Sequence, residues 1–218
     1  MSSGRVSETG NQHPQALKVV RLPEPQRDGG EGLWVVIARR RSERDYKRQA
    51  LSLEQLSQLL WATQGITARV AGHELRAAPS AGALYPCETY LVVNNVEGLE
   101  SGLYHYAVRD HALELLRAGD LSGNIAAACW GQEMAAQAGV VFVWAAVIER
   151  CRRRYGERAY RYIYLDAGHI GAQLHLAAVA LGLGCCAIGA FDDEAVNKVV
   201  GLDGEQEFAI YLSSAGPK

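Results

Sequence analysis

Three short stretches of this 218-residue chain carry residue types that do chemistry. The first is Arg39-Arg40-Arg41-Ser42-Glu43-Arg44. Guanidinium groups beside a hydroxyl suit a phosphate, because arginine offers paired donors and keeps its charge. Taken alone, a basic run is more often a solvated surface patch. The second is Ala77–Pro86, AAPSAGALYP, where five of ten residues are Ala or Gly and a β-type run, CETYLVV, follows at once. So few side chains let backbone N–H groups approach a flat ligand, with Ser80 as a further donor. An ordinary Pro-bounded turn explains the same composition. The third is Leu181–Asp193, LGLGCCAIGAFDD. Its glycines end a helix, a short strand follows, and the amides of Gly189 and Ala190 precede a helix capped by Asp192.

Other clusters invite rival chemistry. Six arginines lie between Arg150 and Arg161, interleaved with Tyr155 and Tyr160, a pattern that suits RNA. Glu149 and Glu157 flank and interrupt the run, and the chain carries a net charge of -2, so a solvated helix start is the better reading and no nucleic-acid partner is expected. Asp166, His169 and Gln173 share one helical face, but no second histidine lies at ligand spacing with His169, so no metal is expected. The five cysteines are odd in number and lack C-x-x-C spacing, which predicts reduced thiols. Cys185 and Cys186, flanked by apolar residues, read as small buried hydrophobes.

These stretches need elements to position them. Apolar residues make up 49% of the chain, and no apolar run approaches the roughly 20 residues of a membrane span. The start lacks the apolar core of a secretory signal, so a cytoplasmic protein without a membrane partner is expected. Residues 1–30 read as a flexible N-terminal segment and residues 31–218 as one domain without repeats. The apolar GLWVVIA run before the arginines is expected to start the core. Ser52 with Gln55 predicts a capped helix that stops at Gly65. Residues 88–116 read as three strands, 121–139 as one helix, and 140–147 as a strand. The longest helix is expected over 158–183, apolar on nearly every face, with Gly168 and Gly171 admitting another helix closely. A strand through Cys185-Cys186, a helix from Asp192 to Val200 and a last strand from 207 close the chain. Helices interleaved with hairpins imply an α+β fold.

The ordered set of Arg40-Arg41-Ser42-x-Arg44, then APSAGALYP before a strand, then ALGLGCCAIGAFDD after a glycine-bearing helix resembles the FMN-dependent nitroreductase superfamily. LSLEQLSQLLWATQGI, GLYHY, YGERAYRYIYLDAGHI and GLDGEQEFAIYL extend the resemblance over residues 30–216 and point to the SagB-type dehydrogenase branch, which includes azoline oxidases. It implies a three-layer fold, a mixed or antiparallel central sheet flanked by helices, in an intertwined homodimer with FMN at the subunit interface.

By that resemblance Arg40, Arg41 and Ser42 hold the ribityl phosphate and Arg44 lies near the flavin pyrimidine. A cation there stabilises the negative charge of the reduced ring. Pro79, Ser80, Ala81 and Ala83 pass over the isoalloxazine, Gly189 and Ala190 present backbone N–H to flavin N5, and Gln132 reaches the pyrimidine edge. The family's further phosphate-binding basic residues lie beyond the last strand, so Lys218 or another arginine would have to substitute. A Lys-Tyr pair of the azoline oxidases reads here Arg154-Tyr155. Arginine keeps its proton at neutral pH and is no general base, whereas Tyr155 remains a proton donor or relay. The resemblance therefore implies an FMN-dependent oxidoreductase that oxidises a peptide-derived heterocycle or similar C–N substrate by hydride transfer to flavin N5. Alternatives are an NAD(P)H-dependent reductase of nitroaromatics or quinones and a flavin-binding scaffold without turnover.

Overall fold

A computed structural model describes His13, residues 16–70 and residues 72–218. Its centre is a seven-stranded sheet whose paired neighbours all run antiparallel. The strands are β1 (Lys18–Arg21), β4 (Cys87–Val93), β5 (Gly102–Ala107), β6 (Ala112–Ala118), β7 (Val140–Val147), β8 (Leu183–Ile188) and β9 (Glu207–Pro217), in the order β1-β6-β5-β4-β7-β9-β8. The middle strands β4 and β7 are near-continuous runs of branched and aromatic residues, and both of their faces are covered.

The pleat sends alternate residues to two cores. Leu91, Phe142 and Trp144 pack under α2 (Leu53–Gln64), α5 (Ile148–Tyr155) and α6 (Ala159–Ala180). Val92, Val141 and Val143 pack under α3 (Ser122–Ala128), α4 (Met134–Gln137) and α7 (Asp193–Val200). The result is the expected α+β arrangement of helices, sheet and helices. Ser52 caps α2 through the predicted box, its Oγ accepting from Gln55 N and Gln55 Oε1 from Ser52 N, and Gly65 ends the helix.

Four local expectations change. The GLWVVIA run does not start the core. It forms α1 (Leu33–Arg39), in which only Val36 is buried while Leu33, Trp34, Val35 and Ile37 are exposed. The single helix over 121–139 is broken into α3 and α4, because Trp130 and Gly131 take left-handed backbone (φ 55° and 76°). Gly171 admits no second helix: a Cβ there would lie 2.6 Å from Tyr211 Cε1, so it lets α6 settle on β9. Within the expected N-terminal segment, Lys18–Arg21 pairs with β6 as an edge strand. For residues 1–12, 14 and 15, the expected flexibility lies outside the described residues. The short hairpin of β2 (Ile66–Val70) and β3 (His73–Arg76) has no counterpart in the sequence reading.

Candidate functional site

The bare stretch joins β3 to β4 and contains a single 3-10 turn at Ala81–Ala83. Gly82, Ala83 and Tyr85 all take positive φ (65°, 54° and 46°), unusual for the two residues that carry a Cβ. A conformation of that kind needs outside support. Asp166 of α6 supplies it. Its Oδ2 accepts the Ser80 hydroxyl at 2.6 Å and its Oδ1 the Ala81 N–H at 3.1 Å, while Ser80 Oγ accepts the Tyr85 N–H at 2.9 Å. Burial pushes the Asp166 pKa up, and those two donors oppose the shift. Gln173, two turns along α6, donates to Ala77 O at 3.4 Å. Asp166 and Gln173 of the helical face singled out in the sequence therefore anchor a loop, while His169 is exposed.

Arg154 and Tyr155, at the end of α5, lie directly against this loop. Arg154 Nη1 approaches Gly82 O at 3.5 Å. A Cβ built on Gly82 would lie 2.7 Å from Tyr155 Oη and 2.9 Å from Arg154 Nη1, so only glycine leaves both side chains in place. Arg154 Cζ lies 5.5 Å from the Tyr155 ring centroid, and the Tyr155 and Tyr162 rings are 4.6 Å apart. One turn earlier, Arg150 forms an ion pair with buried Glu88 and donates to Tyr85 O at 3.3 Å. Helix α5 thus meets the second half of the bare stretch, at Gly82 and at Tyr85.

The arginine run follows α1 in extended form along the outer edge of β8. Glu43 N–H donates to Cys185 O, Lys47 N–H to Pro217 O, and Tyr46 Oη lies 2.8 Å from Ser214 Oγ. Arg40, Arg41, Ser42 and Arg44 are exposed. Arg41 folds back onto Ala38 O and Arg40 O. Among the described residues Arg40 and Arg44 form no ion pair, so their donors remain available for an anion. Lys218 Nζ stands 3.9 Å from Glu43 Oε1, which brings a further cation to the same run. The neighbouring Cys185 and Cys186 are buried, and burial pushes both thiols up, partly opposed by Arg40 at Cys185 and by Arg44 and Ser42 at Cys186.

A third group gathers where β8 ends. Gln132 Nε2 donates to Ala190 O at 2.8 Å and to Cys129 O at 3.0 Å. A Cβ placed on Gly189 would meet nothing within 4 Å, so its backbone faces open space. No hydrogen bond or ion pair among the described residues joins the three groups.

Chemically, the first group offers a phenol and a fixed cation over a nearly side-chain-free loop. The second offers guanidinium and hydroxyl donors to an anion, and the third an uncrowded backbone edge beside an amide. A phosphate-bearing cofactor with a flat ring system fits this donor set. The sequence reading did not anticipate Arg150 and Glu88 as supports, and it placed Asp166 on a helical face without foreseeing its hold on the loop. The hold of Asp166 on the loop left no signal there, because one of its partners is a backbone N–H 85 positions away.

Residues 37–216 match the nitroreductase family. A nitroreductase homologue of Methanocaldococcus jannaschii is 34% identical over 183 residues, 84% of this chain and 89% of its own length. The trifolitoxin-processing protein TfxB of Rhizobium leguminosarum bv. trifolii is 35% identical over 147 residues, 65% of this chain and 39% of that protein. The crystal structure of a nitroreductase-like protein from Anabaena variabilis superposes with a TM-score of 0.82 at 30% identity, covering 100% of this chain and 45% of that one. The chain thus spans less than half the length of the last two proteins. With the family matched over most of its length and a toxin-processing relative at this identity, the chain belongs to the nitroreductase family, on its SagB-type branch.

Proposed function

We propose that this protein is an FMN-dependent oxidoreductase that dehydrogenates a peptide or a peptide-derived heterocycle, acting as a cytoplasmic homodimer. The observation that carries the reading is the seating of Arg154 and Tyr155 on Gly82 of the bare stretch. Family membership and the toxin-processing relative support it. Arg40, Arg41, Ser42 and Arg44 hold the cofactor phosphate, with Lys218 as the completing cation. Pro79, Ser80, Ala81 and Ala83 leave room for the ring, and Gly189, Ala190 and Gln132 meet its polar edge. Bound FMN supplies a two-electron hydride acceptor.

Tyr155 Oη carries the mobile proton of the site. Arg154, whose guanidinium keeps its charge at neutral pH, stands beside the Tyr155 ring, its Cζ 5.5 Å from the ring centroid. A homodimer accounts for two further features. Trp34, Tyr164 and Leu165 are 79%, 57% and 54% exposed in one chain, large apolar side chains for a second copy to cover. The three groups of site residues are also unconnected within one chain, as a site completed across an interface requires. The absence of a lysine base at position 154 favours a second reading, in which the same site reduces nitroaromatics or quinones with NAD(P)H.

The deciding experiment is an absorbance spectrum of purified protein, release and identification of the chromophore, then anaerobic reduction. One FMN per chain, bleached by an azoline-bearing peptide and not by NADPH, is the expected result. Bleaching by NADPH alone would transfer the assignment to the reductase. A colourless protein that takes up no added FMN would overturn both.

A further inference from the structure

The β2–β3 hairpin leaves one edge uncovered, and that edge lines an open groove of about 390 Å³. Ile66, Thr67, Ala68 and Arg69 all line the groove in succession. A strand presents only alternate residues on one face, so four consecutive lining residues mean that the groove runs along its backbone edge. The opposite wall is the turn at Val108–His111.

The backbone of that edge has unused hydrogen-bonding capacity. Ala77 N–H donates to Gly65 O, and Arg76 N–H donates outward to Tyr85 Oη at 3.0 Å. Ile66 and Arg76 are therefore a non-hydrogen-bonded pair of the ladder, and the N–H and C=O of Ile66 point out of the hairpin. A row of unpaired strand groups is a template for another extended chain. Trp61 also lines the groove, and among the described residues its buried indole Nε1 has no partner, in a fold whose buried donors are normally paired. Its ring is held there because Gly65 lacks a Cβ, which would fall 2.3 Å from Trp61 Cδ1. Arg27 lies over the same ring, 5.9 Å from its centroid, and makes no ion pair among the described residues. Arg69 and Arg109 share Glu74 at the rim.

We infer that this groove binds an extended, acidic-to-neutral segment of the peptide substrate, which adds to β2 as a further strand. The inference rests on the peptide-substrate reading above and adds where that peptide docks. β3 runs directly into Ala77–Ala83, so a peptide held on this hairpin lies next to the proposed reaction site. Main-chain bonds to the Ile66 edge supply affinity, and Arg27 favours an acidic side chain.

The test uses the full-length protein and a fluorescein-labelled octapeptide, Glu-Val-Thr-Val-Glu-Val-Thr-Val, read by hydrogen exchange and fluorescence anisotropy. Exchange at the amides of residues 66–70 should slow by about tenfold on binding. The same octapeptide N-methylated at alternate residues keeps its side chains but cannot extend the ladder, and should not protect them. Ile66→Pro removes the outward N–H and should weaken binding by about tenfold. Gly65 already has the extended backbone that a following proline needs (φ -61°, ψ 149°). The methylated peptide decides the matter if that variant does not fold. No protection by the octapeptide, equal protection by its methylated form, or an edge already protected by a second copy of the chain would each overturn the proposal. Binding needs no turnover. A protein that binds the octapeptide yet never oxidises a peptide heterocycle would keep the groove and lose the substrate reading.

Discussion

Gly82 shows how much one missing side chain decides. Its φ of 65° and the 2.7 Å gap to Tyr155 Oη mean that Gly82→Ala must both strain the backbone and push the phenol away. We expect Gly82→Ala to lower melting stability by about 1 kcal/mol and to cut peptide oxidation sharply while flavin content stays unchanged; a fully loaded variant that oxidises at the original rate would contradict the arrangement. Tyr155→Phe keeps the ring packing against Tyr162 and removes only the proton. Single-turnover oxidation should slow by roughly 10²–10⁴-fold, the usual contribution of a positioned acid or base, with an unchanged flavin spectrum. An unaltered rate would remove Tyr155 from the mechanism. At the second group, Arg40→Ala combined with Arg44→Ala should release FMN on gel filtration. A variant that elutes fully loaded would leave the phosphate elsewhere.

Elements are fixed by short-range rules that sequence displays well. The α2 helix starts at Ser52 because a hydroxyl and a glutamine three residues later satisfy two otherwise orphan N–H groups. Ser52→Ala should therefore cost about 1 kcal/mol in urea unfolding without touching cofactor affinity. Strands β4 and β7 were equally legible, since runs such as TYLVV and VVFVWAA suit a sheet buried on both faces. The break between α3 and α4 was not. Trp130 is a residue that propensity would keep helical, and its left-handed backbone next to Gly131 is set by the chain returning to β7. The β2–β3 hairpin escaped for a similar reason: Arg69 and Glu74 give no apolar alternation, and the bulge between Ile66 and Ala68 breaks what pattern there is.

On the scale of the whole molecule, a buried charge network spans three strands. His105 of β5 bonds Glu114 of β6 at 2.8 Å and Glu88 of β4 at 3.1 Å, and Glu88 pairs in turn with Arg150 of α5. Burial alone would lower the His105 pKa, but hydrogen bonds and charges from the two carboxylates lift it from 6.5 to about 9. Burial would raise Glu88 and Glu114, yet the His105 hydrogen bond, the largest opposing effect on each, holds Glu88 well below the usual carboxylate range and lowers Glu114 as well. The stability His105 contributes is full below pH 6.5 and is lost as pH rises through about 9. The carboxylate contribution is full above pH 4.5 and is lost as pH falls below it. His105→Gln leaves buried carboxylates without their cation and should cost about 3–5 kcal/mol near pH 6. The gap between the two melting curves should narrow as pH approaches 9; a gap constant with pH would show that the pair contributes shape and no charge.

The sequence alone determined the order of β4 to β9 and of the long helices, the α2 cap and the identity of the arginine, bare-loop and glycine stretches. Periodicity and local hydrogen bonding encode these within a few residues. It also indicated that AAPSAGALYP lacks side chains for a reason. Only the tertiary structure decided what fills the space on the protein's side: Arg154 and Tyr155 stand over Gly82, and Asp166 holds the turn from 85 positions away. Such contacts form between elements that the folded sheet brings together, and a backbone N–H that accepts no side-chain code leaves no mark in the residue types. The apolar face of α1 was misread on the same ground, since hydrophobicity records that a surface is to be covered without recording by what.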